Sequence, residues 1–186
     1  MRPIFTIHAA EYLLGSYIEH KFKNINVWVP SKDTGVDLLL TDKKNKKAVS
    51  VQVKFSKDYL EPRYFGSYSQ EKLKACGWWS HDTLKIKKTP ADFWIFVLYC
   101  QKKRNIQSII INPKDLLKRL QKIHGNARKI QSYFQITMKN RCWETRDLKN
   151  KKEDESAIIE GEYSNKVRNF SEYLNNWDPI QKILKK

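Results

Sequence analysis

The sequence is poor in several things that would each announce a class of protein. Three cysteines stand at 76, 100 and 142, odd in number and without a CxxC pair. A disulfide framework or a zinc ribbon is therefore excluded, and the three read as reduced, buried thiols. Four histidines, at 8, 20, 81 and 124, are scattered and have no cysteine or serine partner nearby in the chain. That excludes a local zinc site or a histidine-assisted nucleophile. No apolar run reaches the length of a membrane span, and the first residues lack the apolar core of a signal peptide. A cytoplasmic protein without a membrane partner is expected. Acidic residues are also scarce. Twenty Asp and Glu face 36 Lys and Arg, for a net charge of +16.

What is present is a folding sequence, with 40% hydrophobic residues in 186, enough for one compact domain and an appendage. The positive charge predicts a polyanionic partner, bound through release of counterions from phosphates. The lysines recur at 43, 44, 46 and 47, at 85, 87 and 88, at 102 and 103, and again up to 152. Such dispersal suits a folded surface that meets phosphates from several loops. Residues 153 to 162, with five carboxylates, read as a solvated loop or linker.

Residues 6 to 23 read as a helix, with Ala10, Leu13, Leu14, Tyr17 and Ile18 on one face and Glu11 at its edge. Strands are predicted at 25–29, 36–42 and 48–56, the last two joined by a lysine-rich hairpin loop. Residues 69–76 read as a short helix and 92–100, almost wholly apolar, as a strand covered on both faces. A strand at 106–112 is its expected neighbour. A helix capped by Asn112 with Pro113 at its first position follows, and then a strand at 133–138. Val167, Phe170, Leu174 and Trp177 predict a C-terminal helix, and Asp178-Pro179 another. The expected class is an α/β domain with a mixed central sheet flanked by helices. The expected division is a core over residues 1–140 and a helical extension over 141–186 packed on it.

In "AVSVQVKFS" the period is two. Val49, Val51, Val53 and Phe55 share one face; Ser50, Gln52, Lys54 and Ser56 share the other. An amide and an ammonium on a central strand are costly to bury unpaired, and Asp37 and Glu11 are the expected partners. Hydrolysis of a phosphodiester calls for a hard divalent cation on oxygen ligands and a water in line with the leaving group. Asp37, Gln52 and the carbonyl of Val53 can supply oxygens. Lys54 can hold the water and stabilise charge on the phosphate. Glu11 can ligate or orient from the helix.

The pattern Asp37, fourteen residues, Gln52-Val53-Lys54, behind a helix bearing Glu11, resembles the PD-(D/E)XK nuclease signature. The order helix, three strands, helix, strand is similar to that family's restriction-endonuclease-like core over roughly residues 6 to 100. Two departures stand out. Glutamine replaces the usual acid at 52, as in Mrr-type restriction endonucleases, and Gly35-Val36 precede Asp37 where the family has proline. The resemblance implies a Mg2+-dependent endonuclease acting on DNA, with Mn2+ as substitute metal, in restriction, recombination or repair. It implies Glu11, Asp37, Gln52 and Lys54 as catalytic residues, metal held by Glu11, Asp37, Gln52 and the carbonyl of Val53, and a homodimer for cutting both strands. A non-catalytic nucleic-acid-binding protein, or an RNase of the same fold, is the alternative.

The pleat supplies a geometric condition. Directly opposed hairpin residues share a face. Asp37 therefore reaches the Gln52 side only if paired residue numbers have an odd sum, which requires a four-residue loop or a bulge. Finally, "GWWSHD" at 77–82 carries adjacent tryptophans among lysines and aromatics, suited to the core or to base stacking.

Overall fold

A computed structural model describes residues 4–31, 35–60, 72–100 and 105–185, with the main chain alone at 4 to 8. The protein is α/β, built on a mixed five-stranded sheet. Helix α1 (Ile4–Lys21) leads into β1 (Ile25–Trp28), β2 (Leu38–Asp42) and β3 (Ala48–Lys57), an antiparallel meander. β4 (Leu73–Asp82) and the short α2 (Thr83–Lys88) precede β5 (Phe93–Cys100), which returns parallel to β3. β6 (Asn105–Ile111) closes the sheet antiparallel to β5. Helix α3 (Pro113–His124), β7 (Lys129–Thr137), β8 (Cys142–Glu144), α4 (Lys151–Glu160) and α5 (Asp178–Lys185) complete the chain. β4, β7 and β8 form a second, antiparallel sheet.

The interior strand β5, between β3 and β6, explains the layering. Phe93, Ile95 and Val97 face one core; Trp94, Phe96 and Leu98 face the other. The first core lies under α1 and α5 and takes Leu14, Ile18, Val49, Val51, Val53, Trp177, Ile180 and Leu184. The second lies between the two sheets and takes Trp79, Phe134, Ile136 and Phe170, with Leu116 and Leu120 of α3. β4 approaches closely because Gly77 has no side chain. A Cβ there would overlap the Trp79 ring and come within 2.9 Å of Leu98 Cδ2. The amide of Trp78 also donates to Ser56 Oγ of β3 at 3.0 Å.

The helix at Asn112-Pro113 forms as its caps require: Asn112 Oδ1 accepts from the Lys114 amide at 2.9 Å, and Gly125 ends it. Three expectations are corrected. The expected helix over 69–76 does not extend past Lys72, which is helical; β4 begins at Leu73, with an irregular step between Leu73 and Ala75, while 69–71 lie outside the described residues. The acidic stretch is not a loop but helix α4, which buries Ile158 and Ile159 and has Glu153 and Asp154 at the favoured N-terminal end. The segment holding Val167, Phe170, Leu174 and Trp177 is not a helix. It is irregular with one 3-10 turn, Ser171–Tyr173, because Phe170 enters one core and Trp177 the other, on opposite faces of the sheet.

All three cysteines are buried thiols outside any disulfide, Cys100 Sγ donating to the Lys74 carbonyl at 3.3 Å, and burial pushes the Cys76 and Cys142 thiols upward. Among the described residues no helix is long and apolar enough to cross a membrane.

Candidate active site where the second strand begins

The hairpin sets the register. Leu38 pairs with Val51, Leu40 with Val49 and Thr41 with Ala48, all odd sums. The amide of Asp42 donates to the Lys47 carbonyl at 3.2 Å, which leaves a four-residue loop of residues 43 to 46. Asp42 Oδ1 braces that loop by accepting from the amides of Lys46 and Lys47 at 2.7 and 2.8 Å, and Asn45 takes the left-handed conformation the turn needs. This is the register that brings Asp37 level with Gln52.

Asp37 stands just before the first ladder pair. Its amide donates to the Val51 carbonyl at 2.8 Å, and its carboxylate Oδ2 accepts from the Val53 amide at 2.6 Å. The alternation of a ladder explains the second bond. In an antiparallel pair the amide and carbonyl of one residue point to the same neighbour, and every second residue repeats the direction. Val51 faces β2, so Val53 does too, and at Val53 β2 has not yet begun. The Asp37 side chain takes the place of the missing strand. Val53's carbonyl points to that same side. Upstream, Gly35 (φ +86°) turns the chain against Pro90, whose Cδ lies 3.4 Å from where a Cβ would sit.

Gln52 and Lys54 project to the face between the sheets, both half-buried. Gln52 is the register neighbour of Trp94 on β5. Lys54 Nζ lies over the Trp94 ring, 5.2 Å from its centroid, and Trp94 is pinned by its Nε1–H donating to Thr89 Oγ1 at 3.2 Å. His81 of β4 closes this side. It is buried, packs edge-on against Phe96 and has Nε2 2.7 Å from Ser132 Oγ. Burial first, then the Lys54 ammonium and the neighbouring His124, depress its pKa to about 3. At neutral pH His81 is uncharged.

The structure thus gathers Asp37, Gln52, Val53 and Lys54 around one short length of β3. Glu11 is half-buried on α1, in the layer across the sheet from Gln52 and Lys54. Trp94 and His81 escaped the sequence reading. Strand alternation in 92–100 assigns Trp94 to one face but not its neighbour, and nothing local marks His81.

Among the described residues no three His, Cys, Asp or Glu side chains cluster as a metal site. The oxygens here are of another mix: the Asp37 carboxylate, the Gln52 amide and the Val53 carbonyl. All-oxygen donors suit Mg2+ or Mn2+ and not a soft metal. Comparison with protein-family models, with curated proteins and with solved structures finds no match for this chain.

Proposed function

We propose that this chain is a divalent-metal-dependent endonuclease that hydrolyses phosphodiester bonds of DNA on a restriction-endonuclease-like core. The observation that carries the reading is the Asp37 carboxylate seated on the main chain of β3 between Gln52 and Lys54. The order of α1, three antiparallel strands and a fourth strand parallel to the third supports it. Between those last two strands the described residues hold β4 and a six-residue helix.

Asp37, Gln52, the Val53 carbonyl and Glu11 would hold Mg2+, with Mn2+ as substitute. The ion, when bound, polarises the phosphate and makes water a better nucleophile. The rest falls to the side chains. Lys54, as an ammonium, orients the attacking water and offsets charge gathering on the phosphate. Trp94 supports it from below, because the negative face of an indole favours a cation. His81 stays neutral and so adds no second positive charge beside it. Gln52 contributes an oxygen without a charge, so the ion depends more on the two carboxylates. Lysine-rich loops, the hairpin at 43–46 among them, hold the DNA backbone. Cutting both strands calls for two such sites, which a homodimer provides. The setting is cytoplasmic, in restriction, recombination or repair.

Supercoiled plasmid and single-stranded RNA, each incubated with Mn2+, Mg2+ or chelator, test this. Nicking of plasmid should require metal. Asp37→Ala and Lys54→Ala should each slow it by roughly 10²-fold or more while DNA binding persists. Plasmid bound but never cut would make the protein a binding module, and RNA cut alone would make it an RNase. Undiminished cutting by Lys54→Ala would remove the assigned site.

A further inference from the structure

The adjacent tryptophans of "GWWSHD" lie on a strand and so point to opposite sides of the second sheet. Trp79 is core, 5% exposed, with its ring centroid 5.2 Å from that of Phe96 and 5.6 Å from that of Phe134. Trp78 faces outward. Its register partner on β7 is Tyr133, so two half-buried rings stand side by side on the outer face. Arg146 lies over the Tyr133 ring, 5.3 Å from guanidinium carbon to centroid. Next along the strands come Ser80 and Gln131, paired and both exposed, and then exposed Lys129. Among the described residues, helix α4 meets this sheet at its other end, where Ile159 packs on Leu60, Leu73 and Cys76.

We propose that this outer face binds single-stranded nucleic acid, with bases stacked on Trp78 and Tyr133 and phosphates drawn to Arg146 and Lys129. Charge complementarity selects the occupant. The chain carries +16. Among the described residues, the carboxylates of Asp82, on this face, and Asp147, beside Arg146, are engaged, Asp82 with Arg128 at 3.6 Å and Asp147 with Arg146 at 3.1 Å. Two rings alternating with a serine and a glutamine offer stacking without the continuous apolar area a protein partner would need. A duplex hides the faces of its bases and would gain little from the rings; an unpaired strand presents every base. β4 is itself hydrogen-bonded through Trp78 to Ser56, two residues beyond Lys54 on β3. A strand held here therefore lies one layer from the proposed site, although binding does not rest on that reading.

The test is fluorescence anisotropy in chelator, which reads binding alone and stands or falls separately from cleavage. The probes are a labelled oligothymidylate of ~20 nucleotides and a duplex of similar length. Trp78→Ala and Tyr133→Ala should each weaken the single strand about tenfold and change the duplex less than about twofold, while Trp78→Phe should keep most of the affinity. Ser80→Glu combined with Gln131→Glu alters only exposed positions; the like charges stand opposite each other in the register and cost at most about 1 kcal/mol, so a melting curve confirms the fold of this variant even if the aromatic variants unfold. It too should weaken the single strand about tenfold, by repelling phosphates. Unchanged oligothymidylate affinity in that double variant, or an equal loss for duplex and single strand, would overturn the proposal.

Discussion

Lowering the pH should unfold this protein partly through one side chain. His81 is buried, and its folded pKa of about 3 lies well under the ordinary 6.5. The unfolded state therefore takes the proton first as pH falls. Stability from this residue is complete above about pH 6.5 and is lost as pH drops toward 3. At about pH 5 the unfolded imidazole is favoured by some one and a half pKa units, about 2 kcal/mol. His81→Gln keeps a neutral hydrogen-bonding group beside Ser132 and binds no proton. Urea unfolding at about pH 7.5 and about pH 5 should show the native protein losing about 2 kcal/mol more than this variant over the interval. Lys54→Met should raise the folded pKa, because the Lys54 ammonium is one cause of the depression, second to burial; the difference should therefore stay near its full size at about pH 5 and shrink only as the pH approaches about 3 to 4, where the folded imidazole begins to take the proton. Equal losses in native protein and His81→Gln would refute the placement of a neutral imidazole beside the ammonium.

Glu144 is fully buried, with Oε2 2.5 Å from Arg168 Nη1. Arg168→Met leaves that carboxylate without its cation and should cost roughly 3–5 kcal/mol in urea unfolding, most of it regained by adding Glu144→Leu; a loss under about 1 kcal/mol would contradict the ion pair's role. Gly77→Ala places a methyl against Trp79 and Leu98 and should lower stability by about 1–3 kcal/mol. An unchanged melting temperature would show that β4 does not pack on β5 as described.

The site was legible where one strand's alternation decided it. Val49, Val51 and Val53 declared the core face of β3, Gln52 and Lys54 the other, and placing Asp37 on the Gln52 side required a four-residue loop or a bulge; the Asp42–Lys47 bond closes the four-residue loop. The misreadings share a physical cause: local spacing says which residues are apolar, not which core receives them. Leu73 and Cys76 stand three apart, as on a helix, yet β4 is covered on both faces at this end, so Ala75, Cys76 and Gly77 are buried in succession. Phe170, Leu174 and Trp177 mimic a helical stripe, but the chain rounds the β6 edge there. Leu174 bridges to Ile109, and Asn175 bonds Ser108 through both its amide and its side chain. Helix α4 hid because its buried positions are few and its exposed ones acidic. The pairing of Trp78 with Tyr133 joins residues 55 apart, which no local pattern could reveal.

The central claim is that the oxygens of Asp37, Gln52 and Val53 form one seat for a divalent cation next to Lys54. Titration of isotope-labelled protein with Mn2+, read by paramagnetic broadening of backbone amide signals, tests it directly. Broadening should centre on residues 37 and 52 to 54 and disappear in Asp37→Ala. Broadening centred elsewhere, or undiminished at residues 52 to 54 in that variant, would contradict the account.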